Sequence, residues 1–291
     1  MSVTCTLARR CRARNNNNNP NEGKVTMTNN IEFSSPDENN NNETTPWTKP
    51  RESNYQDQVL KPEYAARRLK FPVGQTWFRI VPAIKQSIHS WMMCIHVLNY
   101  EGGRFAHPKN LRKNAKSMWD HAYAWSRDYH PESLYSKANK AGVRLLTDPM
   151  SVFWAVLEEE GQTVARLFLG SGYDASRGGT PGLGYQIWQL TKDRDENGQL
   201  VGDPLHPEKG VLVCVEKTQP KGAKYPAYSL RMGRNPTPMS SLLAKMAPEE
   251  VNALCPLESA VRELTQEEEW QCLKRVIAPD IVAKIRSDVQ L

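Results

Sequence analysis

Residues Gln75-Thr-Trp-Phe-Arg-Ile-Val-Pro82 alternate in character along the chain. A period of two marks a strand with one buried face, because successive side chains leave opposite sides of a pleat. Phe78 and Ile80 point one way, while Trp77, Arg79 and Val81 point the other. An indole beside a guanidinium on an open strand face suits a flexible anion with flat rings, such as single-stranded nucleic acid. The same pattern also fits an edge strand whose Trp lies under a loop and whose Arg is merely solvated.

Outward from this strand, Ile88–Tyr100 is a near-continuous apolar run ended by Gly102-Gly103, the texture of a strand crossing a core. Residues 108–146 change period. Leu111, Ala115, Met118, Ala122 and Trp125 recur at helical spacing behind Pro108, which predicts a helical insertion over about 104–148. Strand texture returns in Val152–Leu157 and Val164–Leu169, joined by an acidic turn at Glu158–Gly161. A Gly-rich loop over 170–184, a short helix with Tyr185, Ile187, Trp188 and Leu190, and strands at Val211–Val215 and Tyr225–Met232 follow. Residues 239–291 read as two amphipathic helices in pieces, broken by Pro248, Pro256 and Pro279. The expected fold class is mainly β with helical additions (α+β), and short strands with one helix before the last pair fit a five-stranded Greek-key barrel of the OB type.

Residues 1–60 are polar, with Asn runs at 15–19 and 39–42, and cannot bury enough apolar surface to offset the entropy of ordering. They are expected to be a disordered arm, with Met27 an alternative start; the core is expected over 61–238. The formal net charge of +6 is unevenly placed. Residues 61–149 hold 15 Lys and Arg against 6 Asp and Glu, while 248–291 hold 5 against 9. A basic middle implies a polyanionic partner, and the acidic end a competing internal tail. Six unpaired-looking cysteines without a CxxC favour a reducing, cytoplasmic setting. No apolar run is long enough to span a membrane, and no secretory signal is visible.

Catalytic patterns are missing. The Gly170–Gly184 loop lacks the Lys-Ser/Thr ending of a phosphate cradle, and no nucleophile elbow, H-E-x-x-H or paired-carboxylate motif occurs. No enzyme activity and no cofactor are expected. Cys94, His96, His107 and His121 are weak metal candidates, since structural zinc needs four convergent ligands and only Cys94 and His96 sit close on one strand.

What remains is aromatic residues interleaved with bases, the pattern with which sequence-neutral binders stack bases and track phosphates. The candidates are Trp77, Arg79, Trp91, Tyr100, Arg104 and Phe105, the insertion's Lys109, Arg112, Lys113 and Lys116, and Lys217, Lys221, Lys224, Tyr225, Tyr228 and Arg231 around the last hairpin. Phe78, Phe153, Phe168 and Trp188 read as core.

Over residues 70–235 the succession Trp77-Phe-Arg-Ile-Val-Pro82, basic insertion, Ser151-Val-Phe-Trp-Ala-Val-Leu157, the helix Leu183–Leu190, Gly210-Val-Leu-Val-Cys-Val-Glu-Lys217 and a Tyr-containing last strand resembles the single-stranded-DNA-binding (helix-destabilising) proteins of T-even-type phages. The resemblance implies an OB-fold holding DNA between barrel and insertion, with Arg79 and Lys217 matching basic groove residues. It does not carry over zinc, because His107-Pro108 stands where a Cys pair would begin, nor the long acidic tail. The resemblance implies a non-catalytic single-stranded-DNA-binding protein of replication, recombination and repair in a bacterial or phage-infected cell, with the C-terminal segment a candidate docking site for replication or recombination proteins. A protein-interaction or structural module, an RNA-binding protein and, less well supported, a nuclease are the alternatives.

Overall fold

The computed structural model describes residues 56–288 apart from 86, 101, 113–114, 130–146, 174–179, 195–201, 224, 276 and 278. The expected N-terminal arm to residue 55, Lys113, Lys224 and part of the Gly-rich loop lie outside the described residues. The chain is a mixed α+β structure with an open eight-stranded sheet. Its strands are β1 (Gln56–Gln58), β2 (Gly74–Ile80), β3 (Met93–Tyr100), β4 (Gly103–Ala106), β5 (Thr147–Glu159), β6 (Gln162–Ser171), β7 (Val211–Thr218) and β8 (Ala227–Pro236). The order is β1-β4-β3-β5-β2-β7-β8, with β6 along the other side of β5.

The thirteen-residue β5 is the spine. One edge takes β6 along most of its length; the other takes β3 at its start and β2 at Val156 and Ala155. Its hairpin with β6 turns through Glu160 (φ 50°) and Gly161 (φ 79°), the two positive φ values that let a two-residue turn match the strands' twist. Phe153 and Phe168 face each other across this hairpin with ring centroids 4.5 Å apart, and both are buried. They join Phe78, Ile80, Val213 and Val215 in one core cluster, closed at one end by Ile187 of the helix α3 (Leu183–Leu190).

Closing the sheet into a barrel would require β6 to pair with β8, and no such pairing exists among the described residues. The free edge of β6 is occupied by other groups. Leu167 exchanges hydrogen bonds with the backbone of Arg67 and Leu69, just past the short helix α1 (Pro62–Ala65), at 2.9 and 3.0 Å, Thr163 bridges Met246, and the Ala165 amide donates to Glu250 Oε2 at 2.8 Å. Glu250 is held in turn by Arg67 at 2.6 Å. The five-strand barrel of the sequence reading is therefore replaced by an opened sheet.

Three segments differ from the sequence expectation, the first being Gly103–Ala106, placed in the helical insertion yet forming β4 because it pairs with β1 and β3. Gln56–Gln58 is strand, pairing in parallel with β4, and Val59 and Leu60 are buried, so chain expected in the arm belongs to the sheet. Of Ile88–Tyr100 only β3 is strand.

Beyond β8 the chain forms α4 (Met239–Leu243), α5 (Pro248–Asn252), α6 (Leu257–Ala260), α7 (Gln266–Leu273) and α8 (Pro279–Asp288). Pro248 and Pro279 open helices, where their fixed φ fits and no amide hydrogen is missed. Thr265 and Glu268 form a reciprocal capping box on α7. These helices are integral to the packing. Trp270, Leu273, Val282 and Ile285 share a core with Leu98 and Phe105 of the sheet and Met118, Trp119 and Ala122 of the insertion helix α2 (Met118–Tyr129). Among the described residues no helix is long and apolar enough to cross a membrane.

Candidate nucleic-acid interface

Register places the side chains of β2, β7 and β8 in rows. Trp77 is level with Cys214, and Cys214 with Arg231. On the same face Gln75 is level with Glu216, and Glu216 with Ser229. Alternation drives Phe78, Val213 and Val215 into the core and leaves Trp77 outside, 38% exposed. The Arg231 guanidinium lies 5.2 Å from the Trp77 ring centroid, with buried Cys214 between the two strands that carry them. At the hairpin end Lys221 is exposed and Tyr225 is 67% exposed. Tyr228 shares the opposite face with Lys217. Its ring sits 6.5 Å from Phe71, while Lys217 Nζ donates to the Phe71 carbonyl at 3.0 Å.

Arg79 requires a correction. It shares the Trp77 face by parity, yet it is fully buried beneath residues 203–210. Its guanidinium donates to the carbonyls of Thr237 (3.2 Å), Ile80 (2.9 Å), Pro204 and His206. A Cβ on Gly210 would collide with the guanidinium, so the Gly is required for the loop to close over it. Desolvation pushes the Arg79 pKa down to about 10, against a smaller opposing pull from Asp203, which leaves it protonated at neutral pH. Arg79 ties the approach to β7 onto β2; it does not reach a surface ligand.

Several other candidates are interior. Phe105 is fully buried, and Tyr100 is buried with its hydroxyl accepting from Gln58 Nε2 at 3.0 Å. Arg104 is buried against Asp57, 2.6 Å away. Trp91 packs on Phe153 with ring centroids 5.5 Å apart. Burial removes Phe105, Tyr100 and Arg104 from any exposed binding face, while Trp91 is half-buried against the core. In the insertion, Lys109 and Lys116 are exposed, while Arg112 is ion-paired to Glu263 of the C-terminal segment.

The metal candidates do not converge. Cys94 and His96 point outward from β3, and His96 Nδ1 lies 3.1 Å from Thr147 Oγ1. His107 is buried, with Nδ1 accepting from the Lys109 amide at 3.1 Å and Nε2 2.9 Å from Asp120 Oδ2, so both ring nitrogens are engaged. His121 lies on α2. Among the described residues no group of three or more His, Cys, Asp or Glu is placed to hold a metal ion.

One surface pair was missed. Tyr185 and Trp188, expected partly as core, lie together on α3 with centroids 5.5 Å apart, and Lys192 Nζ stands 3.5 Å from the Trp188 centroid. Spacings of three and four residues put all three on one helix face, a signal present in the sequence.

The sequence matches no protein-family model and no curated protein.

Proposed function

We propose that the chain is a non-catalytic, sequence-neutral single-stranded-DNA-binding protein acting in replication, recombination or repair, with β2, β7 and β8 as its contact face. The observation that carries this reading is the exposed Trp77 with Arg231 set against it. Base stacking on an indole is indifferent to sequence, and a guanidinium alongside meets the adjoining phosphate. Exposed Lys221 and Tyr225 add a cation and an aromatic ring at the hairpin tip.

The connectivity supports an OB-type ancestry for this face. β2, β5 and β6 form a meander, α3 follows, and the β7–β8 hairpin returns with β7 against β2. That is the barrel's strand succession without its closing pair. The sequence resemblance to the T-even-type phage proteins is in keeping with this reading.

A polarisation titration of labelled oligo-dT with the full chain, repeated at rising salt and alongside oligo-rU, tests the reading. Micromolar or tighter binding to oligo-dT, weakening steeply with salt, is the expected result. No binding at low salt overturns it, and tighter binding to oligo-rU reassigns the protein to RNA.

A further inference from the structure

The two strands that a closed barrel would join have been treated differently. β6 has its free edge covered by Arg67–Leu69, Met246 and the Glu250 carboxylate. β8 ends the sheet, and no described strand pairs with its outer side. It runs ten residues from Ala227 to Pro236 with none of them buried. Among the described residues this edge pairs with no other strand, and such an edge is a row of backbone donors and acceptors on which an extended segment can add as the next strand.

Charge and register define what would fit. Between Lys217 and Pro248 the chain carries Lys217, Lys221, Lys224, Arg231, Arg234 and Lys245 and not one Asp or Glu. Along β8, Ser229 and Arg231 belong to the outer face in line with Glu216 and Cys214. Tyr228, Leu230 and Met232 belong to the face of Lys217, Val215 and Val213. A strand laid along this edge would set alternate side chains beside Arg231 on one face and beside Tyr228, Leu230 and Met232 on the other. A second copy of β8 would oppose Arg231 with another cation, which disfavours self-pairing.

We propose that the β8 edge is a docking site for an extended acidic peptide in which acidic and apolar residues alternate, added to the sheet by backbone pairing. It goes beyond the nucleic-acid reading, although both use Arg231. A peptide and a DNA strand would therefore compete.

The test uses the full chain and labelled peptides of about ten residues, the span of one long strand. One alternates Glu and Val, one alternates Glu and Pro, and one alternates Lys and Val. The Glu-Val peptide should bind and displace oligo-dT. The Glu-Pro peptide, equal in charge but without amide hydrogens at every second position, should bind roughly tenfold more weakly or worse. Arg231→Glu should reverse the preference, weakening Glu-Val and strengthening Lys-Val binding. Equal binding of the Glu-Val and Glu-Pro peptides would overturn strand addition, and no Glu-Val binding would overturn the site. The outcomes are separable. Loss of peptide binding with oligo-dT binding retained refutes only the edge, and the converse refutes only the nucleic-acid function.

Discussion

The Arg231 guanidinium lies 5.2 Å from the centre of the Trp77 ring, across a strand whose intervening residue, Cys214, is buried. The two side chains reach one another from strands that are not neighbours, so the pairing depends on the β2-β7-β8 register. Removing either one leaves the core cluster of Phe78, Val213 and Val215 untouched. This geometry separates binding from stability.

Trp77→Ala should therefore weaken oligo-dT binding by about 1–3 kcal/mol, the worth of one stacked base. Its melting temperature should change little, as for surface substitutions generally. Arg231→Gln should reduce the slope of log affinity against log salt by about 0.7, one phosphate on a single strand. Polarisation titrations paired with thermal melts check both. Unchanged affinity in Trp77→Ala would remove the indole from the interface.

Arg79 should behave in the opposite way. Arg79→Met deprives four backbone carbonyls of their donor and should cost on the order of 3 kcal/mol of stability. Gly210→Ala should be comparably damaging, since its Cβ has no room beside the guanidinium. Oligo-dT affinity of the fraction that remains folded should be unchanged in both. Denaturant unfolding separates the effects, and a variant of normal stability with lost affinity would restore Arg79 to the binding face.

The contrast between these neighbours shows what the sequence carries. Alternation in Gln75–Pro82 is a local property, and the strand and its inward Phe78 and Ile80 follow from it. Whether the other face is open depends on residues 203–210, more than a hundred positions away, and no local pattern announces that they fold over Arg79. The same limit explains Phe105 and Tyr100, buried by C-terminal helices whose docking sites no periodicity specifies. β1 reads as part of the disordered arm because Gln-Asp-Gln has no strand character; its place comes from pairing with β4. The missing barrel closure has a similar origin, since Glu250 and Met246 reach the β6 edge from beyond β8.

Glu269 supplies a pH dependence. It is buried on α7, where its Oε2 accepts from the Met118 amide at the start of α2 at 2.7 Å. Burial, aided by the nearby Asp120 and Glu263 charges, pushes its pKa up to about 7, with the Met118 hydrogen bond and Arg112 opposing. The folded state therefore holds a proton that the unfolded state releases from about pH 4.5 upward. Stability from this group is complete below that pH and is lost as pH rises toward 7, by on the order of 3 kcal/mol. Glu269→Gln keeps an acceptor for Met118 and removes the ionisation. Its melting temperature should match the wild type near pH 4.5 and exceed it increasingly up to pH 7. Parallel pH profiles of the two proteins would rule out the assignment.

The location of the binding face is tested most directly by ultraviolet cross-linking of oligo-dT to the full chain, followed by mapping of the modified peptides. The expected cross-links fall on Trp77 and Tyr225, the exposed aromatics of β2 and of the β7–β8 turn. Cross-links confined to the insertion or to Tyr185 and Trp188 would contradict the assignment of that face.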